Sequence, residues 1–188
     1  MTDPVEVLVF WFADSLTNPD TLAGRRAIWF MGGPDIDQLI TEKFGTLPDA
    51  ALAGELQYWT TDTRNTLALV LVLDQFPRNI YRNTARAYHY DSAGLNLAVT
   101  IIDEGLNLDL HPIEQSFLFL PLQHSESIDD QTRAVQLTKP SQLNRRAPTL
   151  KVQRIPSTMP RGTVTSFAVL AGSLIEMLFW VESPLKPK

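Results

Sequence analysis

The side chains best able to do chemistry are concentrated in one stretch, Leu73-Asp74-Gln75-Phe76-Pro77-Arg78-Asn79-Ile80-Tyr81-Arg82. It follows the most continuous apolar run of the helical part, Leu67 to Leu73, so its polar groups sit at the edge of a core. Polar groups there must be paired, or each costs about 1–3 kcal/mol. One reading is structural: Asp74 pairs with Arg78 one turn on, and Asn79 caps free carbonyls at a helix end. The other is functional: Arg78 and Arg82 clamp an anion or carboxylate, with Asp74 orienting them. A second cluster is His124-Ser125-Glu126, followed by Asp129, Asp130 and Gln131. His124 is the natural proton carrier of the two clusters. Ser125 lacks the Gly-x-Ser-x-Gly setting of an activated nucleophile, so it reads as a loop residue that helps to start the next helix.

Other chemistries are excluded or unsupported. The chain has no cysteine, which removes disulfides, iron–sulfur sites, thiol catalysis and the common zinc fingers. His124 and Glu126 are two apart, not the i, i+4 pair that sets two metal ligands on one helix face, and no His-Glu-x-x-His exists. No metal is therefore expected. Neither a Gly-x-Gly-x-x-Gly nor a phosphate-loop sequence is present, so no cofactor is expected. A net charge of -5, with no interleaving of aromatic and basic residues, argues against nucleic acid.

The elements that must position these residues read as helices. Asp3-Pro4-Val5-Glu6 is a helix start, running through Phe10-Trp11-Phe12. Gly32-Gly33 breaks the chain before Ile36, Leu39, Ile40 and Phe44, a stripe at helical spacing closed by Gly45. The run Leu67–Leu73 fits a buried strand or a buried helix. Helix is preferred, because no second strand-like run offers a partner and the flanks have helical periodicity. Pro77 predicts that it stops near Phe76. Asp91 is read as the cap of a helix with Ala93, Leu97, Ala98, Ile101 and Ile102 on one face, closed by Gly105. Pro112 opens a helix over Ile113–Leu120 that Pro121 bends or ends. Ser127 with Asp130 starts another. The expected class is all-α, built from antiparallel helix pairs.

Charge divides the chain. Residues 1–140 balance to −10 and residues 141–188 to +5. The expected organisation is a helical domain over 1–140 and a Pro-rich, basic linker with an apolar tail over 141–188. Ser166 to Val181 is apolar but shorter than the ~20 residues that span a bilayer, and it contains Glu176. With no basic leader before the first helix, a soluble cytoplasmic protein without a membrane span is expected.

The two polar clusters resemble the signature of the "domain of unknown function 924" family. The residues that carry the likeness are Leu73 to Arg82 with Ala85-Arg86-Ala87 and Asp91, and Phe117 to Leu122 with His124-Ser125-Glu126 and Gln131. Val7-Leu8, Phe10-Trp11-Phe12 and Trp29-Phe30 add to it, so that it covers roughly residues 5–138. The resemblance implies a tetratricopeptide-like all-helical fold. Position by position, it puts the family's polar motif on Asp74, Gln75, Arg78, Asn79, Arg82, His124, Ser125 and Glu126, without supplying their roles. Family members continue with an Arg- and His-rich motif where this chain reads Arg154-Ile155-Pro156-Ser157-Thr158-Met159-Pro160-Arg161-Gly162. That departure falls near the charge break, as a shifted reading frame or an altered splice would produce.

Two functions follow as expectations. A helical array points to a module that binds a protein or peptide partner on a concave face. Alternatively, the Asp74, Arg78 and His124 cluster serves a small-molecule binder or enzyme with an anionic ligand. Convergence of those side chains on one place separates the second from the first.

Overall fold

The computed structural model describes residues 2–139, and all that follows concerns those residues. The basic linker and apolar tail expected over 141–188 lie outside them. Among the described residues the regular structure is helical throughout, with no strand, so the class is all-α. No described helix is long and apolar enough to cross a membrane.

Helix α1 spans Pro4–Phe12. It begins as the sequence implies: Asp3 Oδ1 accepts from the Val5 N–H at 2.8 Å, with Pro4 in the first turn, where no donor is needed. Its inner face buries Val7, Leu8, Trp11 and Phe12. Helix α2, Leu22–Arg26, passes into a π-helical turn over Ala27–Met31 that ends at Gly32 and Gly33. Their φ values of +51° and +150° suit glycine, and they redirect the chain into α3, Pro34–Phe44. Ile40 and Phe44 of the expected stripe are buried, whereas Leu39 is exposed. Helix α4 covers Leu47–Leu52.

Helix α5, Thr63–Ile80, organises the domain; α1, α3, α4, α6 and α7 all pack on it. Asp62 Oδ1 caps it by accepting from the Arg64 and Asn65 N–H groups, both at 3.0 Å. Thr66 to Pro77 are buried without a break, so the apolar run is a helix enclosed on all sides. The expectation that it stops near Phe76 is corrected, because Pro77 lies inside the helix, which runs on to Ile80. A proline displaces the carbonyl four residues back and donates nothing to it. That carbonyl belongs to Leu73; side chains bind the next two, with Arg78 donating to Asp74 O at 2.5 Å and Asn79 donating to Gln75 O at 3.0 Å.

Helix α6 spans Asp91–Asp103. Asp91 is its first helical residue rather than its cap; the cap position is Tyr90, and the Asp91 carboxylate is drawn away to Arg78. Gly105 follows the helix with φ +71°, as its C-terminal glycine requires. The helix expected over Ile113–Leu120 is divided in two: α7, Pro112–Leu118, and α8, Leu120–His124. Pro121 opens α8 instead of closing α7, because a proline in the first turn sacrifices no hydrogen bond. Helix α9, Ile128–Leu137, starts at Ser127, whose Oγ accepts from Asp130 N–H at 3.4 Å.

Aromatic rings tie these elements together. The Trp11 ring lies 5.6 Å from both Phe76 and Phe117, and Trp29 lies 4.8 Å from Phe117. These contacts lock α1, α5 and α7 around one core, and α6 packs along α5 beside them.

Candidate functional site

The site is built at the C-terminal end of α5. Asp74 directly follows the apolar run, faces inward and is 1% exposed. Both of its carboxylate oxygens are occupied. Oδ1 lies 2.8 Å from His124 Nδ1 and 3.3 Å from an Arg78 nitrogen, and Oδ2 accepts from Gln75 Nε2 at 2.5 Å. Burial raises the proton affinity of this carboxyl, but His124, Arg78 and Gln75 together outweigh it. The group is held below the usual carboxylate value and stays ionised. An ionised carboxylate only accepts hydrogen bonds, so His124 Nδ1 carries the hydrogen. Nε2 is then the nitrogen with a free lone pair when the ring is neutral. The His124 side chain is 28% exposed, so that the ring can be reached from solvent.

Arg78 completes the inner cluster. It forms a two-pronged pair with Asp91, at 2.9 and 3.0 Å, besides its bonds to Asp74. Burial lowers its proton affinity, but the Asp74 and Asp91 carboxylates raise it by more. The Tyr88 ring lies 5.6 Å from its guanidinium carbon. Helix α6 packs close to α5 here: a Cβ on Gly94 would lie in ordinary contact, 3.4 Å from Leu73 Cβ and 3.7 Å from Asp74 Cβ.

An outer layer continues from this cluster. Asn79 Oδ1 accepts from Arg82 at 3.1 Å, and Arg82 grips Asp37 of α3 with two bonds of 2.5 and 2.7 Å. Of the residues singled out in the sequence, the fold thus joins Asp74, Gln75, Arg78, Asn79, Arg82 and His124 in one network. Ser125 does not join them. Its hydroxyl donates to Asp130 at 2.7 Å and accepts from Ser127 N–H, so it serves the start of α9. Glu126 is exposed and makes no hydrogen bond or ion pair among the described residues. Among those residues no cluster of His, Asp or Glu is arranged to hold a metal ion.

The family described as "Bacterial protein of unknown function (DUF924)" matches residues 7–168. The chain belongs to that family. The DUF924 match spans every residue of the network and extends past the charge boundary at 140. A solved structure of a protein of unknown function from Agrobacterium tumefaciens is similar to this DUF924 chain. It is 31% identical, covers 73% of this chain and 73% of its own, and superposes with a TM-score of 0.63. No curated protein matches the chain.

Two network residues of this DUF924 chain escaped the sequence reading. The sequence makes Asp91 read as a helix cap and does not single out Asp37. Asp91 is 13 residues from Arg78, and Asp37 is 45 residues from Arg82. No helical spacing links residues so far apart; the one local hint was the acidic residue in the first turn of each helix.

Proposed function

We propose that this protein binds a small molecule, and acts on it by proton transfer, through the imidazole of His124. The observation that carries the reading is the 2.8 Å contact between His124 Nδ1 and a carboxylate that is 1% exposed. A buried, fully bonded Asp74 holds the ring in one tautomer and stabilises the imidazolium when Nε2 takes a proton. Arg78 and Gln75 hold Asp74 in turn. The convergence of Asp74, Arg78 and His124 within hydrogen-bonding distance supports this reading over scattered structural roles.

The test is thermal unfolding of the full chain against a library of metabolites. A ligand at 100 times its dissociation constant stabilises the native state by ~2.7 kcal/mol, a readable shift. Hits should vanish in His124→Gln and persist in Ser125→Ala. A folded His124→Gln variant that keeps every hit would sink the reading.

A protein-interaction module is the second reading. Val5 and Val9, one turn apart on α1, are 56% and 60% exposed, which supports it. A tetratricopeptide-like groove would belong to this reading, but a central α5 packed by five helices is a weak basis for one. A Val5→Glu, Val9→Glu double variant that keeps its fold and its ligand hits but loses a protein partner would favour it.

A further inference from the structure

Arg78 and Arg82 look in the sequence like an anion clamp, and the structure gives both guanidinium groups another occupant. Arg78 spends two nitrogens on Asp91 and binds the backbone oxygen of Asp74 as well. Arg82 spends Nε and a terminal nitrogen on Asp37, and binds Asn79 besides. Two-pronged pairing is the geometry by which arginine would hold a carboxylate or phosphate ligand. A free anion would have to displace a tethered carboxylate, with no gain in charge-assisted bonds.

We infer that Asp37 and Asp91 set the ligand class of this site: they fill the two guanidinium forks, so that it rejects anions and takes a ligand whose head donates a hydrogen bond and carries no negative charge. This rests on the reading of His124 as the working group. Two further observations support it. Arg78 and Arg82 face three carboxylates, Asp74, Asp91 and Asp37, so with a neutral imidazole the network keeps an excess negative charge. That excess repels an anion and attracts a cation. Moreover, a neutral ring with Nδ1 committed to Asp74 offers only the Nε2 lone pair. A hydroxyl, amide or ammonium donor fits that lone pair, whereas an ionised carboxylate or phosphate oxygen would set acceptor against acceptor.

The experiment follows the His124 ring nitrogens by NMR in the full chain, with sodium phosphate and ethanolamine hydrochloride as probes at matched ionic strength. Ethanolamine should move the Nε2 signal to saturation, and phosphate no further than sodium chloride does. Asp91→Asn should free a guanidinium and tighten phosphate binding by about tenfold or more. Asp37→Asn, in the first turn of α3, gives the same test if the first variant fails to fold. Phosphate binding to the wild type that is lost in Arg82→Gln would overturn the inference and leave His124 as the working group. So would failure of the folded Asn variant to gain phosphate. Absence of any His124 response to ethanolamine would overturn the reading of His124 itself.

Discussion

His124 and Asp74 lie fifty residues apart in sequence and meet at 2.8 Å, from α8 and α5. Neither helix defines the pair alone. Asp74 is buried because it follows the core run of α5, and His124 is partly exposed because it ends a short helix. The contact therefore joins a fixed, low-dielectric anion to a ring that solvent can reach, a combination suited to proton transfer.

Replacing Asp74 by Asn should change the tautomer of His124 before it changes anything else nearby. The amide nitrogen would oppose the donors of Gln75 or Arg78, and its oxygen would bind the ring more weakly. Ring-nitrogen NMR at neutral pH should show one tautomer in the wild type, with Nδ1 protonated, and a mixture in Asp74→Asn. Removing one partner of a buried ion pair costs about 3 kcal/mol or more, read by urea unfolding.

The same carboxyl predicts an acid-sensitive term. Its folded proton affinity lies below the ordinary value of 3.8, so it is the unfolded chain that takes up the proton first. Its stabilisation is complete above that value and is lost as the pH falls through the lower folded value. The stability difference between wild type and Asp74→Asn should be constant above about pH 5 and shrink below pH 4.

His111 should add a second pH dependence, near neutrality. Its Nδ1 accepts from the Ile113 N–H at 3.2 Å as the cap of α7, a role open only to the unprotonated nitrogen. Burial lowers its proton affinity below the ordinary 6.5, against the opposing pull of Glu114. Stability from this group is present above 6.5 and lost as the pH falls through the folded value. Asn is as good a cap and does not titrate, so His111→Asn should flatten the urea midpoint between pH 7.5 and 5.5 relative to wild type.

Gly94 should tolerate one carbon and no more. A Cβ there meets Leu73 and Asp74 at ordinary contact distances, so Gly94→Ala should change stability little. Gly94→Leu would wedge α6 from α5 and should cost about 1–3 kcal/mol. It should also loosen the Arg78–Asp91 pair, visible as a change in the Arg78 side-chain NMR signals.

Tyr90 is a separate fastener beside the site. Its hydroxyl donates to Asp49 Oδ1 at 2.6 Å, tying α6 to α4. Burial and that carboxylate push the phenol up to about 12. Tyr90→Phe should cost about 1 kcal/mol in urea unfolding and raise the proton affinity of Asp49, which this hydrogen bond lowers.

The sequence by itself determined the helical class, the start of α1 at Asp3 and of α9 at Ser127, and the polar stretch from Asp74 to Arg82. These are local facts: capping, period and burial act within a few residues. It misplaced the end of α5 and the break around Pro121, because whether a proline ends, bends or opens a helix depends on how the surrounding helices pack. Only the tertiary structure decided what the polar residues hold. Arg78 and Arg82 look alike as a clamp in sequence, yet Asp91 and Asp37 reach them from other helices and fill both. Ser125 and Glu126 adjoin His124 in sequence, but the turn out of α8 carries them away from Asp74. Partners that come from separate helices are fixed by how those helices pack on α5, and no spacing along the chain encodes that.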